Sequence, residues 1–209
     1  MKLFHLHAAC LLVALAAPAS AGLFGLPKFK VEQSDDRFST SGITTYSGSW
    51  NRISKKSLAG GMHFDSSGVF VEPVVSRKKS DGAIAALSFF IHNETSEGGG
   101  ASDLLSLGQL QRITFVTGEG APIGLEIVSG ERDVGSTSYN SVTRTASTRV
   151  SESGFARITP GDYQRIMSAP ALLARIEGSR RSMTYEVRDV SKSFQANLRS
   201  FWNGYAASK

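Results

Sequence analysis

Few side chains in this sequence have the type and spacing to do chemistry, and two histidines head them. His63 lies between Met62 and Phe64, and His92 closes an apolar run and is followed by Asn93, Glu94 and Glu97. A histidine base needs a nucleophile and an orienting carboxylate beside it. The one cysteine, Cys10, lies in an N-terminal segment considered below, and no G-x-S-x-G elbow is present. Serine is abundant, so a serine near a histidine carries no information. An envelope hydrolase using His63 or His92 therefore stands as an alternative, while both settings are more typical of structural histidines. His92, Asn93, Glu94 and Glu97 gather possible ligands beside Gly98-Gly99-Gly100, but no H-x-x-x-H or C-x-x-C spacing accompanies them. No metal or cofactor is expected. Asn93-Glu94-Thr95 matches a glycosylation acceptor, which matters only in a eukaryotic host. Asp35 and Asp36 are adjacent and would point apart on a strand, unlike a paired-carboxylate site. The glycine run lacks the G-K-[ST] ending of a phosphate loop.

The basic residues form three clusters, Lys55-Lys56, Arg77-Lys78-Lys79 and Arg180-Arg181, each at a predicted turn. If those turns gather at one end of a sheet, they make a cationic rim for an unknown protein partner or an anionic envelope component. The plainer reading is that turns and edges carry Lys and Arg for solubility and to block edge pairing. Aromatics are not interleaved with these clusters as nucleic-acid grooves require, so no nucleic-acid partner is expected.

The first 21 residues read as a secretory signal: Lys2, an apolar run from Leu11 to Ala17, then small residues ending at Ala21. The apolar run is too short for a membrane span. Cleavage before Gly22 would remove Cys10, His5 and His7, and the loss of Lys2 would leave a net charge of +4, one less than the whole chain's +5. An exported chain without cysteine needs a conventional packed core. The expected compartment is the periplasm or the exterior of a bacterial cell. Residues 22–209 are expected to form a single mature β-rich domain.

The elements that must position these residues are clearest between Ala171 and Tyr205. Leu172, Ala174 and Ile176 alternate with polar neighbours, as do Met183, Tyr185 and Val187, which predicts a β-hairpin. Phe194, Leu198, Phe201, Trp202 and Tyr205 then form one helical stripe, which must lie on a sheet. Upstream, Val31–Ser57 predicts one or two short strands, and Val69–Val75 a strand whose Pro73 points to an edge or a bulge. Ala83–Ile91 is nearly all apolar and predicts a central strand buried on both faces. Asn93–Ser102 reads as a polar loop and Asp103–Leu110 as a short helix capped by Ser102. Arg112–Thr117 and Ile123–Ser129 predict a hairpin. Asp133–Glu152 fits either a half-solvated strand or a loop, and Phe155–Ile158 a further strand. Thr159-Pro160-Gly161-Asp162 predicts a capped helix start, with Pro170 ending the helix. The expected fold class is α+β, a mostly antiparallel β-sheet or sandwich with the C-terminal amphipathic helix packed on it. The expected function is an exported non-enzymatic protein acting through protein–protein or cell-envelope interaction. A periplasmic inhibitor or immunity-type protein is the nearer alternative to the hydrolase.

Overall fold

The computed structural model describes residues 28–34, 42–54, 67–97, 106–118, 120–142 and 144–207. The protein is α+β, a mostly antiparallel sheet with a C-terminal helix packed on it. The strands are β1 (Lys30–Ser34), β2 (Ile43–Ser49), β3 (Gly68–Lys78), β4 (Ile84–Glu97), β5 (Leu110–Val116), β6 (Ile123–Asn140), β7 (Thr145–Arg157), β8 (Leu173–Gly178) and β9 (Ser182–Tyr185). Helix α1 (Pro160–Ser168) separates β7 from β8, and α2 (Lys192–Phe201) follows β9 and runs into a π-helical turn, Trp202–Ala206. The nine strands form one sheet in the order β1-β2-β3-β4-β7-β6-β5-β8-β9. No helix among the described residues is long and apolar enough to cross a membrane.

The C-terminal unit forms as its periodicities require. Leu172, Ala174 and Ile176 are buried, and so are Phe194, Leu198, Phe201 and Trp202 of the helical stripe. Val187 lies past the end of β9 and is 45% exposed. Helix α1 starts where Thr159 accepts a hydrogen bond from the Asp162 backbone N–H, at 3.1 Å. The Asp162 carboxylate accepts from the Thr159 hydroxyl, and Pro160 occupies the first turn, where its missing N–H costs nothing. The helices cover one sheet face, here called the inner face. Phe89 of β4 stacks on Tyr163 of α1, and Tyr163 stacks on Trp202. The Tyr163 hydroxyl donates to the Leu198 carbonyl of α2, at 3.0 Å.

Four local expectations are corrected. Asn93–Glu97 is no loop but the second half of β4, paired with β7 from Asn93↔Glu152 to Glu97↔Thr148. Polar residues suit a strand here because neighbouring strands supply their partners: Asn93 donates to Glu152, and Glu94 accepts from Ser151 and Arg149. Nor is β4 buried on both faces. Leu87, Phe89 and Ile91 point into the core, while Ser88 and Phe90 are half-buried on the opposite, outer face. Ser106–Gln109 is not helical, and Leu110 opens β5; Ser102 to Leu105 lie outside the described residues. Pro73 lies in the interior strand β3, which corrects the edge alternative, while the register with the preceding segment shifts across it, from Ser47↔Val74 to Arg52↔Phe70. It shares parity with Val71, whose N–H bonds the Asn51 carbonyl, so the donor that Pro73 lacks would have faced β2. Pairing with β2 stops at Ser47↔Val74, and the proline falls in the gap before Asn51.

Candidate functional site

The outer face can be read row by row from the strand registers. One row runs Glu72, Phe90, Phe155, Val128 across β3, β4, β7 and β6. The next runs Phe70, His92, Ser153, Glu131, and the next places Glu94 beside Ser151 and Asp133. Alternation sends His92 and Glu94 outward together and Asn93 inward.

His92 sits at the middle of this face. Its Nε2 lies 3.3 Å from Glu72 Oε1 and its Nδ1 lies 3.4 Å from Glu94 Oε1. The imidazole is sandwiched between Phe70, with centroids 4.6 Å apart, and Phe90, at 5.4 Å. Arg52 lies over the Phe70 ring, 4.9 Å from its centroid. Burial alone would lower the His92 pKa, but hydrogen bonds to Glu72 and Glu94 and the attraction of both carboxylates override it and hold it up at about 9. Burial likewise works to raise the pKa of Glu94. Hydrogen bonds from His92, Ser151 and Arg149 outweigh it and bring the group down to about 2. The Ser151 hydroxyl donates to Glu94 Oε1 at 2.8 Å, and Arg149 donates to Oε2 from Nε and Nη2. Glu72 Oε1 also accepts from the Trp50 backbone N–H, at 2.7 Å. Trp50 has φ of 64°, an unfavourable region for a bulky residue, and this charge-assisted bond helps hold it there.

This arrangement bears on the histidine chemistry considered from sequence. His92 is an imidazolium at neutral pH with a carboxylate at each nitrogen, so it has no lone pair to accept a proton or bind a metal. The nearby hydroxyl, that of Ser151, is directed at Glu94 rather than at His92. Among the described residues no group of three or more His, Cys, Asp or Glu side chains is arranged to hold a metal ion. His63 lies outside the described residues, as do Asp35, Asp36 and Gly98–Gly100.

On the inner face, one residue along each strand, stands a second cluster. Glu152 of β7 is completely buried and accepts from Asn93 Nδ2 at 2.9 Å, Ser106 Oγ at 2.6 Å, Leu107 N at 2.9 Å and Gly108 N at 2.7 Å. Arg132 Nε approaches it at 3.7 Å. The carboxylate pins the segment entering β5, and the amide of Asn93 is committed to it and buried, closed to glycan attachment. The fit is tight: a Cβ at Gly178 would come 2.3 Å from the Leu107 carbonyl oxygen.

The basic clusters do not gather at one end. Five antiparallel pairings separate β3 from β8, so the two strands run in opposite directions. The turn after β3, with Arg77, Lys78 and Lys79, thus opens at one end of the sheet, and the turn after β8, with Arg180 and Arg181, at the other. Arg77 is engaged inside the fold: its Nη1 donates to the Tyr205 carbonyl at 2.8 Å and the Ala207 carbonyl at 3.3 Å, and its Nε to Gly82. Lys78 and Lys79 are exposed. The side chains of Arg180 and Arg181 are exposed, while their backbone N–H groups bond the Leu107 carbonyl. Lys55 and Lys56 lie outside the described residues.

The outer face also offers an apolar surface that charge and motif reasoning passed over. Phe155 is 41% and Val128 55% exposed, and they are directly paired. Beside them an open depression of about 420 Å³ is lined by Gly124, Leu125, Glu126, Val128 and Arg157. The alternation of Phe155 with the inward Gly154 and Ala156 was the signal for it. No protein-family model matches this chain, and comparison with curated proteins and with solved structures finds no match.

Proposed function

We propose that this is an exported, non-enzymatic protein that works by holding a protein partner, and that the outer face is the surface it uses. One observation carries the reading: Phe155 and Val128, side by side on the face opposite α1 and α2, are partly open to solvent beside a depression rimmed by Glu126 and Arg157. An aromatic and a branched aliphatic side chain at the centre of a charged rim is the composition of a protein-binding patch. The inhibitor or immunity reading is a case of the same mode, with an enzyme as the partner. The hydrolase reading draws no support from His92, whose nitrogens both face carboxylates.

The test is affinity capture of the tagged chain from Gly22 onward, out of native cell-envelope extract, at low and moderate salt. It is run beside Phe155→Asp, whose melting temperature is measured in parallel because the Phe155 ring also packs on Phe90, 4.9 Å away. A stoichiometric protein retained by the parent and lost with Phe155→Asp is the expected result. Equal retention by both excludes the outer face. A parent that captures nothing but turns over a substrate in a hydrolase screen overturns the proposal.

A further inference from the structure

The hairpin of β6 and β7 runs beyond the strands on its open flank. Near its start β6 pairs with β5, from Ile123 to Glu126, and from Ile127 onward it pairs with β7. A bulge then shifts the register between Val128 and Glu131, with Ser129 at φ 55°. From Glu131 to Asn140 the pairing is with β7 alone. Among the described residues no strand adjoins the other side of this stretch. The two terminal strands of the sheet are short by comparison, five residues in β1 and four in β9. An open edge of this length presents a row of outward-directed N–H and C=O groups, the template for an added strand.

The side chains along that edge say what kind of strand it fits. Glu131 and Asp133 pair with Ser153 and Ser151, which places them on the outer side. Both are exposed, and among the described residues neither has an ion-pair partner. Val134 pairs with the fully buried Val150, and Tyr139 with Ala146, on the inner side. Val134 is 49% and Tyr139 66% exposed, so an apolar row that begins in the core runs out into solvent at this edge. A second bulge, between Val134 and Thr137, divides the edge and fixes the register that an added strand must match.

We propose that the open edge of β6, from Glu131 to Asn140, takes up an extended peptide segment of a protein partner as an added strand, and that the segment alternates basic with apolar residues. Its basic side chains lie over Glu131 and Asp133, and its apolar ones extend the row of Val134 and Tyr139. Cross-strand neighbours on one face interact directly, and opposite charges there are favourable while like charges are not. A second copy of the same edge brings its own Glu131 and Asp133, or uncharged residues, to that side, and so lacks the complementary charge. This goes beyond the outer-face reading, because it uses main-chain groups of a different surface, and the two fail separately.

The experiment titrates the chain from Gly22 onward against short fluorescent peptides alternating Lys with Val, Glu with Val, or Lys with Ser. Amide hydrogen exchange then locates whatever binds. The Lys–Val peptide should bind and slow exchange in Glu131–Asn140. The double variant Glu131→Lys, Asp133→Lys, altered only at exposed positions, should weaken it about tenfold or more. Methylating alternate peptide nitrogens, which removes main-chain donors without touching the protein, should abolish binding. Absence of binding, equal affinity for the charge-reversed variant, or protection mapping to Phe155 instead of the edge would each overturn the proposal. A dimer in sedimentation that itself protects the edge would replace the partner with a second copy.

Discussion

Two carboxylate clusters lie back to back on the same pair of strands and solve different problems. On the outer face Glu72 and Glu94 flank a titratable cation, His92, between two aromatic rings. On the inner face Glu152 is held mainly by neutral donors, two side chains and two backbone N–H groups, with Arg132 more distant. The register puts Asn93 opposite Glu152 and His92 opposite Ser153, so one step along β4 passes from one cluster to the other. The inner cluster fixes where a segment of chain enters the sheet. The outer one balances charge on a surface that stays accessible. Burial with hydrogen bonds to backbone makes a structural anchor, whereas burial between opposite charges makes a site whose strength follows pH.

The contrast can be broken most forcefully at Glu152. Glu152→Ala leaves the Ser106 hydroxyl and the N–H groups of Leu107 and Gly108 without their acceptor. It should cost roughly 3–5 kcal/mol of stability in denaturant unfolding. His92→Ala removes the cation between two largely buried carboxylates and should cost about 2–3 kcal/mol near neutral pH.

The pH profile sharpens the comparison further. The pKa of His92 rises from 6.5 to about 9 on folding, so its contribution is fully present below pH 6.5 and is lost as pH climbs through 9. The pKa of Glu94 falls from 4.5 to about 2, so its contribution is present above pH 4.5 and is lost as pH drops towards 2. Stability from this cluster should therefore plateau between pH 4.5 and 6.5. The parent should lose melting temperature between pH 7 and 9 while His92→Gln stays flat there. A parent that is equally flat would mean that the imidazole is neutral in the folded state. Smallest of all is Arg149→Ala. The Arg149 side chain is 66% exposed, and its pair with Glu94 should be worth about 0.5 kcal/mol and vanish in high salt.

The parts of this molecule that could be read from sequence are those whose signals are local. The hairpin and helix from Leu172 to Tyr205 carry their periods within a few residues, and the Thr159–Asp162 cap is a four-residue pattern. His92 and Glu94 were visible as neighbours, but Asn93–Glu97 has the composition of a turn, and a loop does not specify which side chains share a face. Glu72 could not be found from them at all. It lies twenty residues upstream and reaches His92 only through the register that pairs Phe70 with His92. Glu152 was hidden for a related reason. It shares parity with Val150, Gly154 and Ala156, but a charged residue on an inward face makes sense only once Ser106–Gly108 has been brought across the sheet to meet it. Two of the three expected basic turns, around Lys79 and Arg180, form as turns, and their separation to opposite ends depended on the strand order.

The bonds from Arg77 to the Tyr205 and Ala207 carbonyls, with that from Asn197 to Asn51, tie the last helix to the first strands across 128 to 146 residues of chain. Such closures are the slow kind, because the entropy of a long loop is lost before the contact returns anything. The inner face of β4 meets α1 through Phe89 and Tyr163, and α2 with its π-helical turn completes the cover, so the N-terminal half completes its core only with the last third of the chain. Closure of the core should therefore come late in folding, once the whole chain is available to contribute to it.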